Sequence, residues 1–254
     1  MELPPLPIIE LTDELWESLG IKPMSKKEFK EIKQKFNRKI TEKNLCPISP
    51  KLSKMELLLH NIINELSRIS INEGMDDTLH DAKFHNLASC RYSIEDAQYA
   101  IDEYKKKDYE EHSYLFYYGL LQAFQNQQDS LKSLFLLLFN KKEKECNILK
   151  MYPNFKYIRT VRNNVLHSTE NTDNRNPSIV KNYVISRVTM TKKSFTLIEE
   201  TKDNDIMKNP NIQVIDLYAL IELQEKTVLH ELKSYLKILQ KSRSFSEVEN
   251  FCPL

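Results

Sequence analysis

Glycine is nearly absent: Gly20, Gly74 and Gly119 are the only three in 254 residues. That scarcity excludes a glycine-rich phosphate loop, a Rossmann fingerprint and a hairpin-rich β fold, each of which needs residues free of a Cβ at fixed places. Paired cysteines are missing too. Cys46, Cys90, Cys146 and Cys252 stand far apart with no CxxC spacing, so neither a zinc ribbon nor a disulfide framework is expected. Charge of one sign is lacking, with 37 Lys plus Arg against 36 Asp plus Glu; any nucleic-acid surface must be local. The most apolar run, SLFLLLF over 133–139, is too short to span a bilayer. The opening MELPPLPIIELTDELW has neither a basic n-region nor an apolar h-region, so a cytoplasmic chain with no membrane partner is expected.

What is present fits a mainly α fold. Apolar residues make up 41% and charged residues 29%, enough to bury a sizeable core. Residues 1–75 read as a helical N-terminal extension. It holds a proline-rich arm, helices in LTDELWESLG and SKKEFKEIKQKFNRKI (the second capped by Ser25), and a third in SKMELLLHNIINELSRIS. Residues 76–92 read as a connection with little regular structure, and 93–254 as the main helical domain. Ser93 and Asp96 form a capping box for its first helix, in which Ala97, Ala100, Ile101 and Tyr104 point inward. A long helix over about 113–140 is built on Leu115, Tyr118, Leu121, Phe124, Leu131, Leu134, Phe135 and Leu138, and another covers about 148–168. NTDNRNPS reads as a loop. YVISRVTM and SFTLIEET flank TKK and predict a β-hairpin over about 181–202, with NIQVI as a third short strand. Asp216 then caps the last long helix.

The segment Arg159-Thr-Val-Arg162-Asn163-Asn164-Val165-Leu166-His167 gathers cations, amides and an imidazole where a helix ends. At 100° per residue, Phe155, Ile158, Val161 and Val165 share one side and His167 lies roughly 180° from Ile158. Asn163 shares the histidine's face, Arg159 flanks it, and Arg162 sits near the apolar edge. The preceding helix offers a matching stripe. Gln122, Gln125, Asn126 and Asp129 fall at i, i+3, i+4 and i+7, and antiparallel packing would bring the two together. Helix-end charge alone would also explain the arginines and the histidine. His60, His80, His85, His112 and His230 show no HExxH or paired ligand spacing, so no metal and no cofactor is expected. Tyr114, Phe116, Tyr117 and Tyr118 read as core and dimer contact rather than a base-stacking platform.

Arg162-Asn163-x-x-x-His167 resembles the Rx4–6H motif of the HEPN superfamily of small helical ribonucleases, in which the residue after the arginine is usually polar. YYGLLQAFQNQQDSLKSLF is similar to the long helix before that motif, and the resemblance covers about 93–245. It implies a HEPN-like helical bundle with a small β insertion before the last helix. It also implies metal-independent cleavage of an RNA substrate by 2′-OH attack, in a homodimer with two motifs across one cleft. His167 would be general base or acid, Arg162 the phosphate clamp and Asn163 an orienting group. Gln122, Gln125, Asn126, Asp129 and Arg159 would line the substrate, with Asp129 holding Arg162. A toxin or anti-phage defence role follows from the resemblance, with an antitoxin or defence-system protein as partner. The alternative is a non-catalytic HEPN-like module that binds RNA or protein. Some HEPN toxins carry a modifiable tyrosine two residues after the histidine; here that residue is Thr169.

Overall fold

A computed structural model of the chain describes residues 49–73, 77–106, 114–142, 148–166, 171–173, 176–203 and 206–250. The expected arm and helices before residue 49 lie outside the described residues, as does His167. Everything described belongs to one compact unit, Ser49–Leu254.

The helices are α1 (Pro50–Glu73), α2 (Asp77–Lys106), α3 (Tyr114–Leu138), a single turn α4 (Ile148–Met151), α5 (Pro153–Leu166), α6 (Leu217–Lys241) and a short α7 (Phe245–Asn250). Between α5 and α6 lie β1 (Asn171–Asp173), β2 (Asn176–Ser186), β3 (Ser194–Asp203), β4 (Ile206–Met207) and β5 (Asn211–Asp216). The chain is therefore mainly helical, with a small antiparallel sheet before its last long helix. No helix among the described residues is long and apolar enough to cross a membrane.

Helix α2 differs from the sequence expectation. It starts at Asp77 and runs unbroken through Ser93, so the supposed capping box lies mid-helix. The S-x-x-D spacing is also the spacing of two polar residues on one exposed helix face, and Ser93 and Asp96 are both exposed. Leu87, Cys90, Ile94, Ala97 and Ile101 carry the buried stripe straight through. Ala100 is exposed. On α3, Leu115 and Tyr118 face outward instead of inward, and Tyr117 and Leu120 take the core positions.

The sheet order is β1-β2-β3-β4, with β5 pairing β3 as well. NTDNRNPS is strand rather than loop at both ends: Asn171 pairs Lys181 and Thr172 pairs Val180, so sheet hydrogen bonds override its turn-forming composition. Strand alternation gives the sheet one packed face, with Tyr183, Phe195, Leu197 and Ile215 buried and Val184, Ile212 and Val214 exposed. The turn joining β2 to β3 is pinned to the bundle. Tyr117 Oη donates to the Thr191 carbonyl at 2.6 Å and Tyr104 Oη to the Lys192 carbonyl at 2.8 Å. Asp216 caps α6, its carboxylate accepting from Ala219 N at 2.9 Å.

The helices bury two apolar clusters. One joins Met55, Ile94, Leu131, Phe155 and Val228; the other joins Ile101, Phe124, Ile158, Leu197 and Ile221. Between them every long helix but α1 changes character: Gln98 on α2, Gln127 and Gln128 on α3, and Gln224 on α6 are fully buried. A buried amide without partners costs about 1–3 kcal/mol, and these four solve the problem by bonding one another. Gln128 Nε2 donates to Gln224 Oε1 at 2.8 Å, Gln224 Nε2 to Gln127 Oε1 at 3.0 Å, and Gln127 Nε2 to Gln98 Oε1 at 3.4 Å. Gln98 Nε2 ends the run on Glu225 at 2.9 Å and Asp102 at 3.2 Å. Those two buried carboxylates are met by Lys105, and Lys51 lies 3.8 Å from Glu225.

Candidate functional site

Helix α5 opens on Pro153 in its first turn, where the missing N–H costs nothing. Phe155, Ile158, Val161 and Val165 are buried and fix its rotation. Arg159 and Arg162, three residues apart, then flank the seam with α3, which runs antiparallel to it. The seam is in regular register: Arg159 meets Gln128 and Asp129, and Arg162 meets Gln122.

The two arginines are held differently. Arg159 Nε donates to Gln128 Oε1 at 2.8 Å, and its Nη2 forms an ion pair with Asp129. It is neutralised, and it heads the buried amide run. Arg162 donates from Nη2 to Gln122 Oε1 at 3.1 Å and from Nη1 to Asn163 Oδ1 at 3.0 Å. Both acceptors are neutral. Its Nε is buried and has no partner among the described residues. Burial first, and the neighbouring Arg159 second, push its guanidinium below the usual value, with Asp129 opposing. An arginine keeps its proton regardless, so the seam carries one cation that forms no direct ion pair with a described carboxylate and feels Asp129 only at a distance.

Asp129, which the sequence suggested would hold Arg162, makes its ion pair with Arg159 instead and reaches Arg162 only through its charge at a distance. The antiparallel register sets it one turn away, against Arg159. Gln122 and Asn126 join through Gln122 Nε2 to Asn126 Oδ1 at 2.8 Å. With Asp129 they line an open groove of about 490 Å³ between α2 and α3. Ala97, Gly119 and Asp96 also line it. Gln125 is half-buried and does not line this groove. Asn163 is exposed and braces Arg162. His167 lies outside the described residues, so the structure brings together Arg159, Arg162, Asn163, Gln122, Asn126 and Asp129 only. No group of three His, Cys, Asp or Glu among the described residues is placed to hold a metal ion.

Sequence reasoning missed Gln128, the neutral half of the Arg159 clamp, and the amide run behind it. A signal existed. In α3 the buried positions Tyr117, Leu120, Leu121, Phe124, Leu131, Leu134 and Leu138 leave a gap that helical spacing fills with Gln127 and Gln128. Gln224 and Glu225 interrupt the buried face of α6 in the same way.

Comparison with protein-family models, curated proteins and solved structures finds no match for this chain.

Proposed function

We propose that the chain is a metal-independent endoribonuclease of the HEPN type, a HEPN-like bundle working as a homodimer in the cytoplasm as a toxin or defence effector. The observation that carries this reading is Arg162, a half-buried guanidinium braced by two neutral amide oxygens and in ion-pair contact with no described carboxylate. Such a cation suits an anionic ligand, and a guanidinium fork fits a phosphate bidentately. It stands five residues before His167.

In this reading one His167 takes the proton of a ribose 2′-OH as that oxygen attacks phosphorus. The P–O5′ bond breaks, and the leaving oxygen takes a proton from the second copy's His167. The products are a 2′,3′-cyclic phosphate and a 5′-hydroxyl. Arg162 stabilises the charge gathering on the phosphoryl oxygens, and Asn163 keeps its fork oriented. Arg159, already paired, acts by positioning.

One observation favours the second reading, a non-catalytic module that binds RNA or a protein. Asp96 and Asp129 line the groove beside the arginines, and carboxylates repel a phosphate backbone. The two readings separate on incubating wild type and His167→Ala with total tRNA and mRNA in EDTA, with oligomeric state measured on the same samples. Cleavage by wild type and none by a folded His167→Ala dimer supports the enzyme. RNA retained intact by both proteins supports the binding module.

A further inference from the structure

The seam between α3 and α5 continues past Arg162. Tyr118 precedes Gln122 by one helical turn, a rise of about 6 Å, and Val165 follows Arg162 by almost one turn. At that next step Tyr118 and Val165 line an open pocket of about 410 Å³, closed on the other side by Tyr183, Ile185 and Arg187 of the β insertion and capped by Tyr114. The Tyr114 and Tyr118 rings lie 5.9 Å apart at 39°. The Arg187 guanidinium carbon sits 5.8 Å from the centre of the Tyr114 ring, and its Nε donates to Tyr114 Oη at 3.3 Å. The far wall is fixed, because Tyr117 and Tyr104 tie the β2–β3 turn to the helices.

The Tyr114 and Tyr118 rings and a guanidinium, set over the buried Tyr183 ring and beside Val165, Val184 and Ile185, with no carboxylate among the described lining residues, form a surface for a flat π-bearing group. Unpaired bases stack on tyrosine rings and on arginine planes. The neighbouring groove carries Asp96 and Asp129 instead, so the pocket is the part of this face better suited to RNA. We infer that it holds an unstacked nucleobase of single-stranded RNA whose phosphate is bound at Arg162. The inference rests on the RNA-binding reading above. It assigns Tyr114 and Tyr118 a role that their sequence pattern, shared with the core residue Tyr117, did not reveal.

The test uses the full chain carrying His167→Ala, so that RNA stays intact. Its affinity is measured by fluorescence anisotropy at low salt for a labelled oligoadenylate and for the same oligomer made abasic throughout. The base-bearing oligomer is expected to bind about tenfold tighter, the scale of one base stacked on an aromatic ring. Adding Tyr118→Ala should remove that preference and leave abasic binding unchanged, Arg187→Ala should reduce the preference while also weakening abasic binding through the lost charge, and Tyr118→Phe should restore it. Arg162→Ala should weaken both oligomers alike. Equal binding of the two oligomers, or a preference untouched by Tyr118→Ala and Arg187→Ala, overturns the base pocket while Arg162 dependence keeps the RNA reading. Failure to bind either oligomer overturns both.

Discussion

Arg159 and Glu225 stand at opposite ends of one unbroken run of four buried side-chain amides: Gln128, Gln224, Gln127 and Gln98. An arginine can only donate and a carboxylate can only accept, so the two ends dictate how every amide between them is turned. Each amide dipole points the same way, and each bond polarises the next. The consequence for the candidate site is positional. Arg159 is fixed from inside the bundle, and Arg162 is fixed from the surface by Gln122 and Asn163.

Removing one link strands two neighbours. Gln128→Leu leaves Arg159 Nε and Gln224 Oε1 without their partners. It should cost about 2–3 kcal/mol of stability, read from urea unfolding. Adding Gln224→Leu should cost less than the sum of the two single changes, because it removes one of the groups already stranded.

Arg159 is paired with a carboxylate, and Arg162 is bonded only to neutral amides. Asp129 is 49% exposed, so Asp129→Asn should cost less than about 1 kcal/mol of stability. It should nevertheless tighten single-stranded RNA binding by freeing Arg159. Arg162→Ala should weaken that binding and make the salt dependence shallower by about 0.7 in the log–log slope, the loss of one phosphate contact. Filter binding across a potassium chloride series measures both.

Stability should fall in alkali. Burial pushes the Tyr152 and Tyr117 phenols up, and Tyr235 and Glu231 add to the effect at Tyr152. In the unfolded chain these phenols ionise near pH 10, whereas the folded protein keeps them protonated. Above that pH the unfolded state binds fewer protons, so stability is fully present below about pH 10 and declines as pH rises beyond it. Urea midpoints from about pH 8 to about pH 11 should show the decline, and Tyr152→Phe should flatten it.

Regular helices were legible because their apolar residues repeat at the helical period. The expected helix over about 113–140 is Tyr114–Leu138, and Asp216 caps α6 as its position before LYALIELQ suggested. The hairpin was legible from its β-branched residues, and NIQVI is strand β5. The start of α2 was not, since a polar S-x-x-D pair looks alike at a helix cap and on a helix flank. Arg162 and Gln122 could be brought together on paper from helical spacing and antiparallel packing. The partner of Asp129 could not, because one turn of axial slip between α3 and α5 decides between Arg159 and Arg162. The tyrosine pocket was equally hidden: it needs Tyr183 and Arg187, which follow Tyr118 by more than sixty residues.

Whether Arg162 serves a ribonuclease site is read from the rate and chemistry of cleavage of a defined single-stranded RNA in EDTA. Wild type should give fragments ending in 2′,3′-cyclic phosphate and 5′-hydroxyl, identified by mass. Arg162→Ala should cut at least about a hundredfold more slowly, the scale of losing one group that stabilises transition-state charge, while remaining folded and dimeric. Wild-type cleavage that Arg162→Ala leaves at full rate, or wild type that cuts no RNA at all, would rule out a ribonuclease site at Arg162.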